Sequence, residues 1–186
     1  MANVIEPAGT GRAKCRACGR VIGKGELRFG EVLPNPFGEG ETTYWLHLYC
    51  AAYKRPEQLL PLLEARAAEP AEPMVADAQH LIGIAKSGIE HHRLPRIAGA
   101  ERSPTARARC RHCGEPIDKG LWRLALHMFE DGRFQPSGFI HAVCARAYFG
   151  TAELDERIRH FSSGLSEEEL GEITGELGKT PPISAS

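Results

Sequence analysis

Apolar and polar positions along this chain fall into short runs, few of them long enough for more than one element each. LRFGEVL (residues 27–33) and LWRLALHMF (121–129) have the dense, brief apolar content of strands. TTYWLHLYCAAY (42–53) and SGFIHAVCARAYF (137–149) read as strands leading into helices. Helical spacing follows in PEQLLPLLEAR (56–66) and MVADAQHLIGIAK (74–86), with Pro70 and Pro73 in the loop between them. TAELDERIRHF (151–161) predicts another helix, and the segment 166–177 opens with Ser166 and Glu169 at capping-box spacing. A stretch with glycine, two prolines and mixed charges, 88–106, holds the expected domain boundary. The architecture expected is α+β: two small domains, 1–92 and 93–180, with a tail at 181–186, each domain a short antiparallel sheet with flanking helices.

Domains of about 90 residues support only marginal cores, so an added cross-link is expected. The cysteines supply the donors. All six fall into two sets, Cys15, Cys18 and Cys50, then Cys110, Cys113 and Cys144, and His47 and His141 each precede a third cysteine by three positions. The spacing is C-x2-C-x28-H-x2-C in the first copy and C-x2-C-x27-H-x2-C in the second. Three thiolates and one imidazole suit tetrahedral zinc, and four protein ligands leave no open position for a catalytic water. Two structural zinc ions are therefore expected. Three disulfides of a secreted protein would leave the paired histidines unexplained, and no signal peptide is visible. A redox Cys-x-x-Cys opens a helix, whereas here a basic, glycine-rich loop follows. Iron is chemically admissible, but the three-thiolate set favours zinc. The other histidines, His80, His91, His92, His112, His127 and His160, lack a companion at ligand spacing and read as surface or capping residues.

The repeat extends past the ligands. At an offset of 95, Arg12, Ala13, Arg16, Gly19, Ile22, Lys24, Gly25 and Arg28 recur as Arg107, Ala108, Arg111, Gly114, Ile117, Lys119, Gly120 and Arg123. One residue is lost in the long loop, so the His-Cys half recurs at 94, and the whole pattern marks a duplicated domain.

Charge adds a further distinction. The formal net charge is only -1, yet residues 11–30 hold Arg12, Lys14, Arg16, Arg20, Lys24 and Arg28 against Glu26 alone. Residues 166–178 hold Glu167, Glu168, Glu169, Glu172 and Glu176 with no base. Segregation of this kind creates a local attractive field whatever the total. Lys14, Arg16, Arg109 and Arg111 supply that field diffusely, while Lys24 and Lys119 are placed for a phosphate contact. No apolar run approaches the roughly 18 residues of a membrane span, so an intracellular protein is expected. Nor is a Ser/His/Asp set, an open metal site or a phosphate-cradling loop recognisable, so no enzyme is expected.

Both copies resemble the poly(ADP-ribose) polymerase-type zinc finger, the DNA-break-sensing module of those polymerases and of some DNA ligases and end-processing enzymes. The resemblance rests on GRAKCRAC (11–18), on Ile-x-Lys-Gly-x-Leu-Arg (22–28), on the aromatic-rich approach to His-x-x-Cys and on a helix after it. It covers most of 3–90 and 97–178, and no remaining segment is long enough for the polymerase catalytic domain.

The resemblance implies that Arg12 and Arg28, and by duplication Arg107 and Arg123, hold the DNA backbone beside a break. Guanidinium groups contact phosphates bidentately without reading sequence. It also implies that loop aromatics cap base pairs exposed at the break: MFEDGRF (128–134) offers Phe129 and Phe134. The first copy departs from the pattern with LPNPFGEGETT (33–43), where Phe37 stands to stack but Glu39 and Glu41 face phosphate unfavourably. Trp45 and Trp122 read as core residues. The function so implied is zinc-dependent, sequence-independent binding of nicks, gaps or ends in DNA repair. Its partners are broken DNA and repair enzymes, with no membrane and no small-molecule substrate, in a nucleus or a prokaryotic cytoplasm. An adaptor that recruits repair enzymes and a single-stranded RNA binder are the alternatives.

Overall fold

The computed structural model describes residues 2–36, 38–69 and 72–179. Phe37 and the tail 181–186 lie outside them. The fold is α+β, with two three-stranded sheets, and the chain divides into two compact units. One unit comprises Met1–Pro95 with Phe129–Phe134, the other Arg96–Met128 with Gln135–Ser186. Among the described residues no helix is long and apolar enough to cross a membrane.

In the first unit, β1 (Val4–Pro7), β2 (Leu27–Pro34) and β3 (Glu41–His47) form an antiparallel sheet in that order. Successive strand residues point to opposite faces. Ile5, Phe29, Tyr44 and Leu46 therefore enter the core, while Arg28, Gly30 and Trp45 occupy the other face. Trp45, which the sequence suggested as core, is only half-buried there. Its indole needs the glycine opposite it: a Cβ on Gly30 would lie 2.6 Å from the ring. Three helices, α1 (Leu48–Lys54), α2 (Pro56–Ala68) and α3 (Ala78–Glu90), close the core with Tyr53, Leu59, Leu63, Leu81, Ile84 and Ala85. Pro56 opens α2 where a missing N–H is harmless. Helix α3 begins at Ala78, not at Met74, because Asp77 takes the cap position and gives its carboxylate to the Tyr49 hydroxyl at 3.0 Å.

A second three-stranded sheet is formed by β4 (Ile97–Arg102), β5 (Trp122–Glu130) and β6 (Arg133–His141), of which the hairpin tip Phe129–Phe134 groups with the first unit and the rest with the second. Asp131 and Gly132, both at positive φ, make the two-residue turn of the β5–β6 hairpin. Strands β1 and β4 were not anticipated; β4 falls in the segment read as a boundary, where Gly99 at φ 134 and the following charges weaken any strand signal. After β6, a 3-10 turn (Ala142–Cys144) runs into α4 (Ala145–Phe149), followed by α5 (Asp155–Phe161) and α6 (Glu167–Leu177). The residues before Asp155 do not join α5; instead the Glu153 amide donates to the Thr151 hydroxyl at 3.2 Å. Helix α6 carries the reciprocal Ser166–Glu169 capping box and buries Leu170, Ile173 and Leu177. Glu172 ties this helix to the sheet by accepting from the Trp122 indole at 3.0 Å, and Trp122 is itself buried.

One internal ion pair distinguishes the first unit. Glu31 on the core side of β2 is 1% exposed, and Arg55, between α1 and α2, donates its Nε to both carboxylate oxygens at 2.8 and 3.1 Å. Removing one partner of a buried pair strands the other charge. Arg55→Ala is expected to lower the unfolding free energy by about 3–5 kcal/mol, measured by chemical denaturation. Truncation of exposed Lys24, Lys24→Ala, is expected to leave it within about 0.5 kcal/mol.

Candidate metal centres and nucleic-acid interface

Each Cys-x-x-Cys sits in a tight knuckle closed by backbone hydrogen bonds. The Cys15 amide donates to the Arg20 carbonyl at 2.8 Å and the Gly19 amide to the Cys15 carbonyl at 2.8 Å. Cys110, Glu115 and Gly114 repeat the arrangement at 2.9 Å. Gly19 and Gly114 have φ of 73 and 79, a conformation that side chains resist, which explains a glycine directly after each second cysteine. The remaining two ligands arrive where strand becomes helix: His47 ends β3 and Cys50 lies in α1, while His141 ends β6 and Cys144 closes the 3-10 turn. Both knuckles are pinned to that junction by the Arg16 amide on the Trp45 carbonyl (2.9 Å) and the Arg111 amide on the Phe139 carbonyl (2.8 Å).

Three sulfurs and one ring nitrogen thereby come within 4.8 Å of one another in each unit, and each set can hold a metal ion. His47 Nδ1 stands 3.4 Å from Cys18 Sγ and 3.8 Å from Cys50 Sγ, and His141 Nδ1 3.5 Å from Cys113 Sγ and 3.9 Å from Cys144 Sγ. The opposite nitrogen, Nε2, meets a backbone carbonyl that can only accept: Val21 at 3.2 Å and Pro116 at 3.0 Å. That contact places the proton on Nε2 and leaves the Nδ1 lone pair for a metal. Amides of His112 and His141 each donate to Cys110 Sγ at 3.4 Å, as a thiolate ligand requires.

Protonation follows from this crowding. The Cys50 thiol holds Cys15 down at about 3, while Cys50 itself is pushed up as the proton donor of that pair. Hydrogen bonding to Cys15 raises His47 to about 9. Burial raises Cys144, and the charges of Cys110 and Cys113 act in the same direction. Burial also presses Cys110 upward, but the amides of Cys113, His141 and His112 outweigh it and hold this thiol below its usual range. Arg20 is pushed up by its hydrogen bond to Cys18. Three thiolates beside a neutral imidazole require a cation at their centre.

Around the first centre, Arg12, Lys14 and Arg16 are exposed, and with Thr43 and Trp45 they line an open groove of about 530 Å³ on the outer face of the sheet. Lys24 is exposed, as are Arg107, Arg109, Arg111 and Lys119 in the second unit. Arg109 turns back to the Gly114 carbonyl at 3.1 Å. Arg111 lies so close over Gly138 that a Cβ there would be 2.7 Å from its Nε. Phe129 and Phe134 pair across the hairpin with ring centroids 4.8 Å apart, and both are half-buried. Within the first unit, the Arg55 guanidinium lies 3.9 Å from the Phe129 centroid and Lys54 lies 5.7 Å from that of Phe134.

The two strand arginines are not solvated. Arg28 packs 3.4 Å over the Trp45 ring and donates Nη2 to Glu6 at 2.6 Å, with its side chain 13% exposed. Among the described residues its buried Nε has no acceptor, a deficit worth about 1–3 kcal/mol. Arg123 packs 3.6 Å over Phe139 and donates Nε to Glu101 at 2.9 Å, Nη2 also to Glu101, and Nη1 to Ser103 at 3.2 Å. Glu6, Glu101 and Phe139 are the members that sequence reasoning missed, while Trp45 was read as a core residue. The repeat offsets could have found them, since Glu101 is Glu6 plus 95 and Phe139 is Trp45 plus 94.

A small α+β unit with one Cys3His set, present twice, defines a protein with two potential metal centres, each beside an exposed basic segment. No family model matches the chain. It is similar to part of poly [ADP-ribose] polymerase 1 of Oryza sativa subsp. japonica, 26% identical over 144 residues, covering 75% of this chain and 14% of that protein. It is likewise similar to part of the poly [ADP-ribose] polymerase of Drosophila melanogaster, 28% identical over 137 residues, covering 68% of this chain and 14% of that protein. The chain thus spans about one seventh of the length of the curated relatives it matches.

Because the ligands bind metal only when deprotonated, acid must release the ion. Excess chelator at neutral pH is expected to abolish cooperative thermal unfolding in both units, followed by circular dichroism, and added zinc to restore it. Cys110→Ser is expected to reduce the metal content, measured by elemental analysis, from two ions per chain to one.

Proposed function

We propose that this chain is a tandem pair of poly(ADP-ribose) polymerase-type zinc fingers, 1–92 and 93–180, which binds DNA strand breaks without regard to sequence and without catalysis. The observation that carries the reading is that each Cys3His set pins a knuckle whose flanking arginines and lysine are exposed beside a sheet edge. Partial similarity to two poly(ADP-ribose) polymerases supports it. Zinc, held by Cys15, Cys18, His47 and Cys50 and by Cys110, Cys113, His141 and Cys144, supplies the cross-link that cores of this size lack.

Arg12, Lys14, Arg16 and Lys24, with Arg107, Arg109, Arg111 and Lys119, provide the sequence-independent attraction to phosphate. Phe129 and Phe134 are the rings assigned to an exposed base face, because inside an intact duplex each base is already covered by its neighbours. Reaching a base exchanges the cation–π contacts of Arg55 and Lys54 for a stack, a trade between interactions of similar size. Recruitment of repair enzymes to the bound break is the role this activity would serve.

The test is titration of the zinc-loaded chain with hairpin-closed duplexes, one nicked and one intact. Preference for the nicked duplex is expected, with log affinity falling by about 0.9 per phosphate contact for each tenfold rise in salt. Phe134→Ala is expected to erase the preference while leaving binding to intact duplex unchanged, and equal binding of both duplexes by the wild type would overturn the reading.

A further inference from the structure

Beside His47 the first unit has an opening that neither the metal set nor the basic groove uses. Leu27, Leu48 and Leu81 form its apolar floor, and Met74 and Val75, from the segment between α2 and α3, form one wall. Two contacts hold that wall in place. Arg66 donates Nη1 to the Pro73 carbonyl at 2.9 Å, and the Tyr49 hydroxyl donates to Asp77 Oδ2 at 3.0 Å. The cavity is about 290 Å³, at the bottom of the roughly 300–1,000 Å³ range of small-molecule sites, a size that suits one long side chain. Leu81 is 1% exposed, whereas Met74 is 56% exposed, and its flexible thioether can close on an occupant.

Charge narrows the choice of occupant. The lining includes Glu26 and Asp77 and, among the described residues, no lysine or arginine. Each carboxylate uses one oxygen internally, Asp77 for the Tyr49 hydroxyl and Glu26 Oε2 for the Gly23 amide at 2.9 Å, which leaves the other oxygen for an external donor. Two carboxylates and a tyrosine ring over a leucine floor match an alkyl stem that ends in a cation. The stem buries against the leucines while the ammonium meets the carboxylates. A phosphate would meet like charge here, so DNA is not the occupant. The duplication supplies a comparison. At offsets of 95 and 94, Glu26, Leu27, Leu48 and Tyr49 become Leu121, Trp122, Ala142 and Val143, which line a cavity of only about 120 Å³ beside His141. Arg102 lines that cavity too, and its carboxylate, Glu176, is paired with Lys179. A second cation has no place there.

We propose that the first unit carries a docking site for another protein, whose bound segment inserts a lysine side chain flanked by apolar residues. The lysine stem lies on Leu27, Leu48 and Leu81, its ammonium pairs with Glu26 and Asp77, and Met74 covers the flanking residues. This gives the recruitment role proposed above a surface, yet it rests on the zinc-stabilised fold and not on DNA binding. The residues that distinguish it, Glu26 and Tyr49, are replaced in the second copy, so the site belongs to the first unit alone.

The test titrates the full zinc-loaded chain, with isotope-labelled methionine methyls, at low salt. The probes are a short capped peptide of alanine and leucine around a single lysine, and the same peptide with norleucine in place of the lysine. The chain has three methionines, and Met74→Leu assigns the resonance of interest. The lysine peptide is expected to shift the Met74 methyl and to leave that of Met128, exposed in the second unit, in place. It is also expected to bind about tenfold tighter than the norleucine peptide. The double variant Glu26→Gln, Asp77→Asn keeps an acceptor for Tyr49 and the apolar floor, and is expected to bind both peptides equally with an unchanged Tm. Should it not fold, Glu26→Gln alone serves in its place, with a reduced lysine preference expected. Glu168→Gln, at an exposed acid of α6, is expected to keep the full preference. Absent or equal binding of the two peptides by the wild type would overturn the proposal. So would a preference that survives loss of both carboxylates, or binding that leaves the Met74 methyl unmoved. No DNA is present, so failure here leaves the break-binding reading standing, and failure of the nicked-duplex titration leaves this one.

Discussion

In each unit three thiols and an imidazole are held within 4.8 Å of one another, a set that can hold a cation, and most of the unit is organised around it. The donors come from two places, a knuckle and a strand-to-helix junction, separated by a hairpin of the sheet. Joining them fixes the knuckle against the last strand of that sheet. The amide of the residue after the first cysteine, Arg16 or Arg111, reaches the strand carbonyl two residues before the histidine, at Trp45 or Phe139. A basic loop hydrogen-bonded to the last strand of the sheet is the by-product of bringing the four donors together. The chemistry that can meet an anion is thus placed by the same contacts that hold the fold.

The outer sheet face shows how charge is stabilised close to an apolar wall. An arginine placed there loses hydration, and each unit compensates with an aromatic ring beneath it and a carboxylate beside it. Neither compensation is strong at a surface, but together they hold the guanidinium plane in one orientation. Glu31 and Arg55 meet the same demand on the core side of the first sheet, where the repeat places Leu126 in the second unit. One copy therefore carries a buried ion pair where the other carries a leucine, and both sheets form. Such a pair adds little net stability over an apolar residue, although it is costly to break by halves.

Much of the ligand set was legible because spacing repeated in duplicate leaves few alternatives: Cys15, Cys18, His47 and Cys50 come together, as do Cys110, Cys113, His141 and Cys144. The Ser166–Glu169 box was legible because capping is local in sequence. Trp45 was misjudged because a large apolar residue between Tyr44 and Leu46 looks like more core, whereas the period of a strand turns it to the opposite face. β1 and β4 escaped notice since each is short and lies at the sheet edge, drawing its stability from pairing with the next strand more than from its own apolar content. The pairing of Arg28 with Glu6 and of Arg123 with Glu101 spans 22 residues and depends on strand register, which composition does not encode.

Duplicated units invite the assumption that equivalent residues do equivalent work, and the surroundings of the two strand arginines argue against it. A side chain whose donors are all engaged inside the protein gains little from an external oxyanion, however well its position matches that of a binding residue. One with a buried, unpaired donor carries an internal hydrogen-bonding deficit that its copy does not. The alanine at position 8 and the serine at position 103 separate these two states by one oxygen atom in otherwise matching backbone surroundings. Identity at the arginine itself therefore does not make the two surroundings equivalent; the residue at position 8 or 103 sets how completely its donors are paired within the protein.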